Sequence, residues 1–235
     1  MELKGKVVIV TGGGRGVGRS LALLLAREGA QLGLVARTAS QLDTVCAEVK
    51  ALGAEAISVP TDLAQPEQIE RMAQTVLNHF GTIDVLINNA GGGTVLAPVQ
   101  DTTLEYLNEM LNVNARGTFL VTKAFLPTLL AKKSGAIFMV NSVVAKKGVS
   151  GASAYCASKA GMAALGESLQ AEVGSHGIRV TNVFCEPINT WMRWTATPNY
   201  PRERVIEPED VAQAVVDVLK LPDRVLVNEI PVRRL

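Results

Sequence analysis

Short apolar, β-branched runs alternate with helical patterns along this chain without a break, and that alternation leaves few folds open. The run Lys6-Val7-Val8-Ile9-Val10 reads as a buried strand. A glycine turn follows, then a helix from Ser20 that stops at Gly29. Further strands are expected at Gln31–Ala36, Ala56–Val59, Ile83–Asn88, 136–140, Ile178–Phe184 and Arg224–Ile230. Helices are expected from Ser40 to Leu52, with Ser40 as cap and Gly53 as stop, and from Pro66 to Phe80, with proline in the first turn. Others run from Leu104 to Ala131, bent near Pro127, around Tyr155 and Lys159, and from Pro208 to Leu219. Strands separated by helices pair in parallel, and a parallel sheet needs both faces covered. No linker, repeat or low-complexity segment divides residues 1–235, so one α/β domain is expected.

The glycine turn is Thr11-Gly12-Gly13-Gly14-Arg15-Gly16-Val17-Gly18. Lying between a strand and a helix, it fits a nucleotide site, because glycines let the backbone approach closely and a helix N-terminus offers free N–H groups to a pyrophosphate. Glycine turns also occur with no ligand, so this stretch alone leaves both readings open.

Tyr155-Cys156-Ala157-Ser158-Lys159 sets a phenol and an amine four residues apart. On a helix they leave one face, a turn apart. Ser142 follows the strand at 136–140. A phenol, an ammonium and a hydroxyl that converge can move a proton to or from a substrate oxygen.

Composition excludes other classes. With 23 basic and 22 acidic residues the formal charge is +1, which gives no broad attraction to nucleic acid or to an anionic membrane. No apolar stretch reaches the ~18 residues of a membrane span. Cys46, Cys156 and Cys185 are widely spaced, show no metal-ligand pattern and suit a reducing cytosol. The first residues lack a signal-peptide core, so a cytoplasmic protein is expected. His79 and His176 fall near helix ends and read as surface or capping residues.

Taken in order, the glycine motif, Asp62-Leu63, Asn88-Asn89-Ala90-Gly91, Asn114 within Asn112–Gly117, Ser142, and Tyr155 with Lys159 resemble the short-chain dehydrogenase/reductase family over nearly the whole chain, in a 3-oxoacyl reductase-like form. The resemblance implies a Rossmann-type doubly wound domain with a seven-stranded parallel sheet and a dinucleotide across the strand carboxyl ends. It implies Tyr155 as general acid or base, Lys159 as the ammonium that lowers the phenol pKa and holds a ribose, Ser142 as a hydrogen-bond partner of the substrate oxygen, and Asn114 as support for a water that replenishes the proton. The implied cofactor residues are Gly12, Gly14, Arg15, Gly16, Val17, Gly18, Arg37, Thr38, Asp62, Leu63, Asn89, Ala90, Gly91, Tyr155, Lys159, Ile188 and Thr190, with no metal site. A small carbonyl or alcohol substrate and a homodimer or homotetramer are implied as partners.

An NAD site usually carries a carboxylate after the second strand. This chain has Ala36-Arg37-Thr38 there, so NADP(H) is expected, with Arg37 and Arg15 on the 2′-phosphate. The expected activity is reduction of a ketone or 3-oxoacyl group. Dehydrogenation of a small hydroxy acid or alcohol is the alternative, and a catalytically silent NADP(H)-binding sensor is a reading of another class. Cys185-Glu186 replaces the family's usual Pro-Gly, which points to altered substrate handling more than to lost catalysis. The irregular stretch 186–207, with Trp191, Met192, Trp194 and Tyr200, is expected to form a substrate lid, while Ala145, Gly148 and Val149 line another side. Glu186, Arg193 and Lys146 are its candidate charged contacts.

Overall fold

The computed structural model describes residues 1–93 and 95–235. Its sheet holds β1 (Val7–Thr11), β2 (Gln31–Ala36), β3 (Ala56–Pro60), β4 (Val85–Asn88), β5 (Gly135–Ser142), β6 (Ile178–Cys185) and β7 (Glu229–Val232). The seven strands are parallel, in the order β3-β2-β1-β4-β5-β6-β7. The helices are α1 (Gly16–Arg27), α2 (Ala39–Ala51), α3 (Pro66–Phe80), α4 (Leu104–Met110), α5 (Thr118–Lys132), α6 (Ser153–Val173), α7 (Trp191–Ala196) and α8 (Pro208–Lys220). This is the doubly wound α/β architecture expected above. The strand order reverses between β1 and β4, and that switch opens a crevice at their carboxyl ends.

Period-two alternation explains how both faces are buried. Val8 and Val10 of β1 join one core with Leu21 and Leu25 of α1, Leu42 of α2 and Val215 of α8. Val7 and Ile9 join the other, with Met72 of α3, Phe125 of α5 and Met162 of α6. Each such side chain, fully buried, contributes roughly 1.5–3 kcal/mol.

At the opposite edge of the sheet from the crevice, Asp84 is buried. It accepts hydrogen bonds from the Val7 N–H at 2.9 Å and from the ammonium of Lys132, with Lys6 close by. Burial alone would raise its pKa, but the Lys132 hydrogen bond, the Val7 N–H and the two ammonium charges outweigh it and hold the carboxyl below its ordinary value.

Several expected elements differ in extent: α1 starts at Gly16 ahead of Ser20, and β4 starts at Val85 instead of Ile83. The second helix starts at Ala39, with Thr38 at the cap position, and Ser40 lies inside its first turn. The Leu42 N–H already bonds the Thr38 carbonyl, so no Ser40 cap is needed. The long helix expected from Leu104 to Ala131 is interrupted by a π-helical stretch, Leu111–Gly117, and α5 then runs through Pro127. The fifth strand extends to Ser142. The last strand is Glu229–Val232 instead of Arg224–Ile230. The Arg179 guanidinium takes the carbonyls of Leu221, Pro222 and Val225, and the Thr181 hydroxyl takes that of Val227. Side chains thus claim acceptors that a strand ladder would have used.

Candidate active site

The crevice begins where β1 turns into α1. Gly12 has φ +68°, and a β-carbon there would lie 2.8 Å from Asn89 Nδ2. The approach is close because the loop after β4 is stitched to this turn. Thr11 Oγ1 accepts from the N–H groups of Asn89 and Ala90, each at 3.0 Å, and Asn89 Nδ2 donates to the Thr11 carbonyl at 2.9 Å. The first turn of α1 has no side-chain cap and no acidic residue, so its N–H groups are open to a ligand. An uncapped helix N-terminus behind a glycine turn fits a pyrophosphate.

A cavity of about 460 Å³ runs along the strand ends. Gly12, Gly14, Arg15, Gly16 and Val17 form one wall, and Arg37 and Thr38 lie at its exposed rim. Asp62, Leu63, Asn89, Ala90 and Gly91 form the floor beyond β3 and β4. Tyr155 and Lys159 close the far end, with Ile188 and Thr190 across from the glycine loop. One Asp62 oxygen is used locally, accepting the Ala64 N–H at 3.0 Å. Arg15 is exposed and its guanidinium lies over the ring of Trp191, 4.3 Å from the centroid.

Three expected residues lie outside this lining. A β-carbon on Gly18 would fall 2.0 Å from the Gly12 carbonyl oxygen, so this glycine serves contact between α1 and the loop. Asn114, in the π-helical stretch, is fully buried. Its Oδ1 accepts the Gly92 N–H at 2.9 Å, and its Nδ2 donates to the Gly92 carbonyl at 3.0 Å and to Ser158 Oγ at 2.9 Å. Ser142 ends β5, and its hydroxyl oxygen accepts the Val144 N–H at 3.4 Å. Sequence reading missed Gln41, Thr61, Glu109, Val113, Val140, Asn141 and Asn189 in the lining. The true length of β5 was the available signal for Asn141. Gln41 carries none, since it reaches the cavity from α2 behind Gly14.

Tyr155 and Lys159 leave one face of α6 and reach the same cavity end. The Tyr155 ring packs on the backbone of Gly93, where a β-carbon would lie 2.6 Å from the ring. Lys159 is buried, with Nζ donating to the Val140 carbonyl at 3.1 Å. Loss of hydration pushes the Tyr155 phenol up to about 12; hydrogen bonding with Ser142 and the charge of Arg193 pull the other way. Burial brings the neighbouring Lys159 down to about 8. Burial also pushes the neighbouring Cys185 thiol up to about 12.

Glu186, at the altered Pro-Gly position, accepts the Arg234 N–H at 3.2 Å. Its carboxylate is turned to the C-terminal segment. Between β6 and α8, Ile188 pairs with Ile206, and Trp194 Nε1 donates to Asn189 Oδ1 at 2.8 Å. Lys146 pairs with Glu229 and lies over Phe184, while Gly148 and Val149 are exposed. His79 pairs with Glu55 on the surface and His176 is exposed.

A family model described as short chain dehydrogenase matches residues 6–201. The chain belongs to the short-chain dehydrogenase family. It is 32% identical over 232 residues to an uncharacterized oxidoreductase of Staphylococcus aureus (strain MRSA252), covering 98% of each chain. An alcohol dehydrogenase from the archaeon Thermococcus sibiricus, complexed with 5-hydroxy-NADP, superposes with a TM-score of 0.91 at 30% identity, over 98% of this chain and 97% of that one. An NAD+-bound xylitol dehydrogenase also superposes at 0.91, with 26% identity and 99% of each chain covered. This short-chain dehydrogenase is therefore an oxidoreductase acting on CH–OH donors with a nicotinamide dinucleotide. No helix among its described residues is long and apolar enough to cross a membrane.

Proposed function

We propose that this short-chain dehydrogenase is an NADP(H)-dependent reductase of a ketone or 3-oxoacyl group, built as one domain with the segment 186–207 as its substrate lid. One observation carries the reading: Tyr155 and Lys159 reach the cavity end that is continuous with the uncapped N-terminus of α1. The residues present fit a dinucleotide. The glycine loop and α1 would hold its phosphates, Lys159 its nicotinamide ribose, and Asp62 and Leu63 would flank the adenine. Bound there, the dinucleotide would supply hydride to the carbonyl carbon.

The chain's own groups handle the proton. Tyr155, like any phenol, keeps its proton at neutral pH and can give it to a carbonyl oxygen; loss of hydration raises its pKa to about 12, so the site must offset that rise during proton transfer. Ser142, beside the phenol, would hold that oxygen in place. Lys159, near 8, exchanges its proton close to physiological pH and can recharge the site. Asn114 ties α6 to the loop after β4 and would act by positioning both. Support for NADP(H) is local, since the end of β2 offers Arg37 and Thr38 and no carboxylate. The fold is neutral on this point, because a relative holding an NADP derivative and one holding NAD+ superpose equally well.

The test is oxidation of NADPH and NADH by the wild type with a ketone panel, beside Tyr155→Phe and Arg37→Asp. Tyr155→Phe should lower kcat by about 10²–10⁴-fold while dinucleotide binding persists. Arg37→Asp should move preference toward NADH. Full activity in Tyr155→Phe refutes the proton-donor role. Equal or better use of NADH by the wild type refutes the cofactor assignment.

A further inference from the structure

Among the described residues, Arg193 is a cation without a counter-ion. It sits on α7 directly after Trp191 and Met192, which line the crevice. Its guanidinium is held flat by two contacts. The Tyr200 ring centroid lies 4.9 Å from Cζ, and Nη1 donates to Thr197 Oγ1 at 3.0 Å. The other edge is unused. Among the described residues, Nε is buried with no hydrogen-bond partner and Nη2 has none either. Arg193 forms none of the salt bridges among the described residues. Two of the three carboxylates in this segment are engaged elsewhere, Glu186 by the Arg234 N–H and Glu207 by the Asn189 amide and the α8 cap, and Glu203 forms no salt bridge with Arg193 among the described residues.

A buried N–H left unpaired is costly, and in a folded protein it calls for an unseen partner. Nε–H and Nη2–H point the same way from one planar group, at a spacing that matches the two oxygens of a carboxylate. The charge also reaches the reacting centre, where it draws the Tyr155 pKa down. Arg193 directly follows two residues that line the crevice, so an anion on this edge would sit on the α7 side of it.

We propose that Arg193 anchors a carboxylate on the substrate, so that oxo acids and the matching hydroxy acids are the substrate class of this enzyme. The assignment rests on the reductase reading of Tyr155 and Lys159, and it adds the group that orients the carbonyl. Arg193 takes no part in bond-making. It fixes one end of the substrate on the lid so that the other end meets the phenol, which turns binding energy into orientation.

The test uses NADPH-saturated enzyme and three pairs of substrates: pyruvate, 3-oxobutanoate and 4-oxopentanoate, each beside its neutral methyl ester. At least one acid should exceed its ester in kcat/KM by about tenfold or more, as a charge-assisted pair implies. Arg193→Met should bring that acid-to-ester ratio to near one, and Arg193→Lys should restore part of it. A role in lid folding alone would lower acid and ester together. Tyr155→Phe should slow both and leave the ratio in place, which separates the anchor from the proton donor. The proposal is overturned if the wild type prefers no acid in the series, or if Arg193→Met leaves the ratio unchanged. If no carbonyl compound turns over, the reductase reading fails, and calorimetry on NADP+-loaded protein decides the anchor. Acid binding that exceeds ester binding and disappears in Arg193→Met supports it, and equal binding of the two overturns it.

Discussion

At the scale of single residues, the site trades stability for chemistry. Lys159 is buried in the cavity floor, and its only oxygen partner among the described residues is the Val140 carbonyl. Its folded pKa, about 8, lies below the ordinary lysine value, so the unfolded chain binds the proton more tightly. The sign follows: below pH 8 a buried ammonium works against folding, and that penalty fades as pH rises from 8 toward the unfolded value. Lys159→Met should therefore stabilise the ligand-free protein at pH 7, by up to about 3 kcal/mol, while it removes activity. Thermal unfolding at pH 7 and pH 10 checks this, and a variant less stable than wild type at pH 7 contradicts it. The same pKa predicts that kcat/KM for reduction falls as pH rises through about 8, when the amine can no longer return a proton. A reduction rate flat from pH 7 to pH 9.5 would rule out that supply.

Among the elements, the π-helical stretch Leu111–Gly117 matters most, since it brings Asn114 to both Gly92 and Ser158. One amide thereby joins the loop after β4 to the helix that carries Tyr155 and Lys159. Asn114→Leu removes three hydrogen bonds and strands the Gly92 backbone groups, so unfolding in urea should show a loss of about 3 kcal/mol. Activity should fall further than the stability loss explains, because Tyr155 and Lys159 lose their brace. Wild-type stability in this variant would leave Asn114 without the structural role described here. The π turn was illegible beforehand because its extra residue per turn leaves an apolar pattern much like that of an ordinary helix. By contrast, β1, β2 and β4 were easily read, since burial on both faces leaves nearly uninterrupted apolar runs. β7 was misplaced because it is an edge strand, and side chains from β6 claim the carbonyls just before it. Within the site, the glycine loop and the Tyr155–Lys159 spacing were visible as local pattern. Arg193 was visible as a residue, but its free edge is set by Tyr200 and Thr197, contacts that no spacing rule encodes.

Over the whole molecule, the two edges of the sheet divide the labour. The crevice occupies the carboxyl edge, where Tyr155 is left with a shifted pKa and Arg193 with an unpaired donor. At the amino edge Asp84 gathers the Val7 backbone, Lys132 of α5 and Lys6 into a half-buried cluster. That cluster locks β1 to β4, the pair whose opposite ends flank the crevice. Asp84 should thus support the site from across the sheet and make the fold acid-sensitive. Its folded pKa lies below the ordinary value, so its contribution is complete above about 4, the unfolded carboxylate value. It is lost as pH falls further, through the folded value, where the folded state must take up a proton. At pH 7, Asp84→Asn should cost about 2 kcal/mol, since it removes charge-assisted hydrogen bonds and leaves the Lys132 ammonium without its counter-ion. Urea titrations of wild type and variant at pH 7, 5 and 3 should show a gap that holds down to pH 5 and narrows at pH 3. A gap that stays constant at pH 3 would mean that packing at this edge, and not the carboxylate charge, holds β1 against β4.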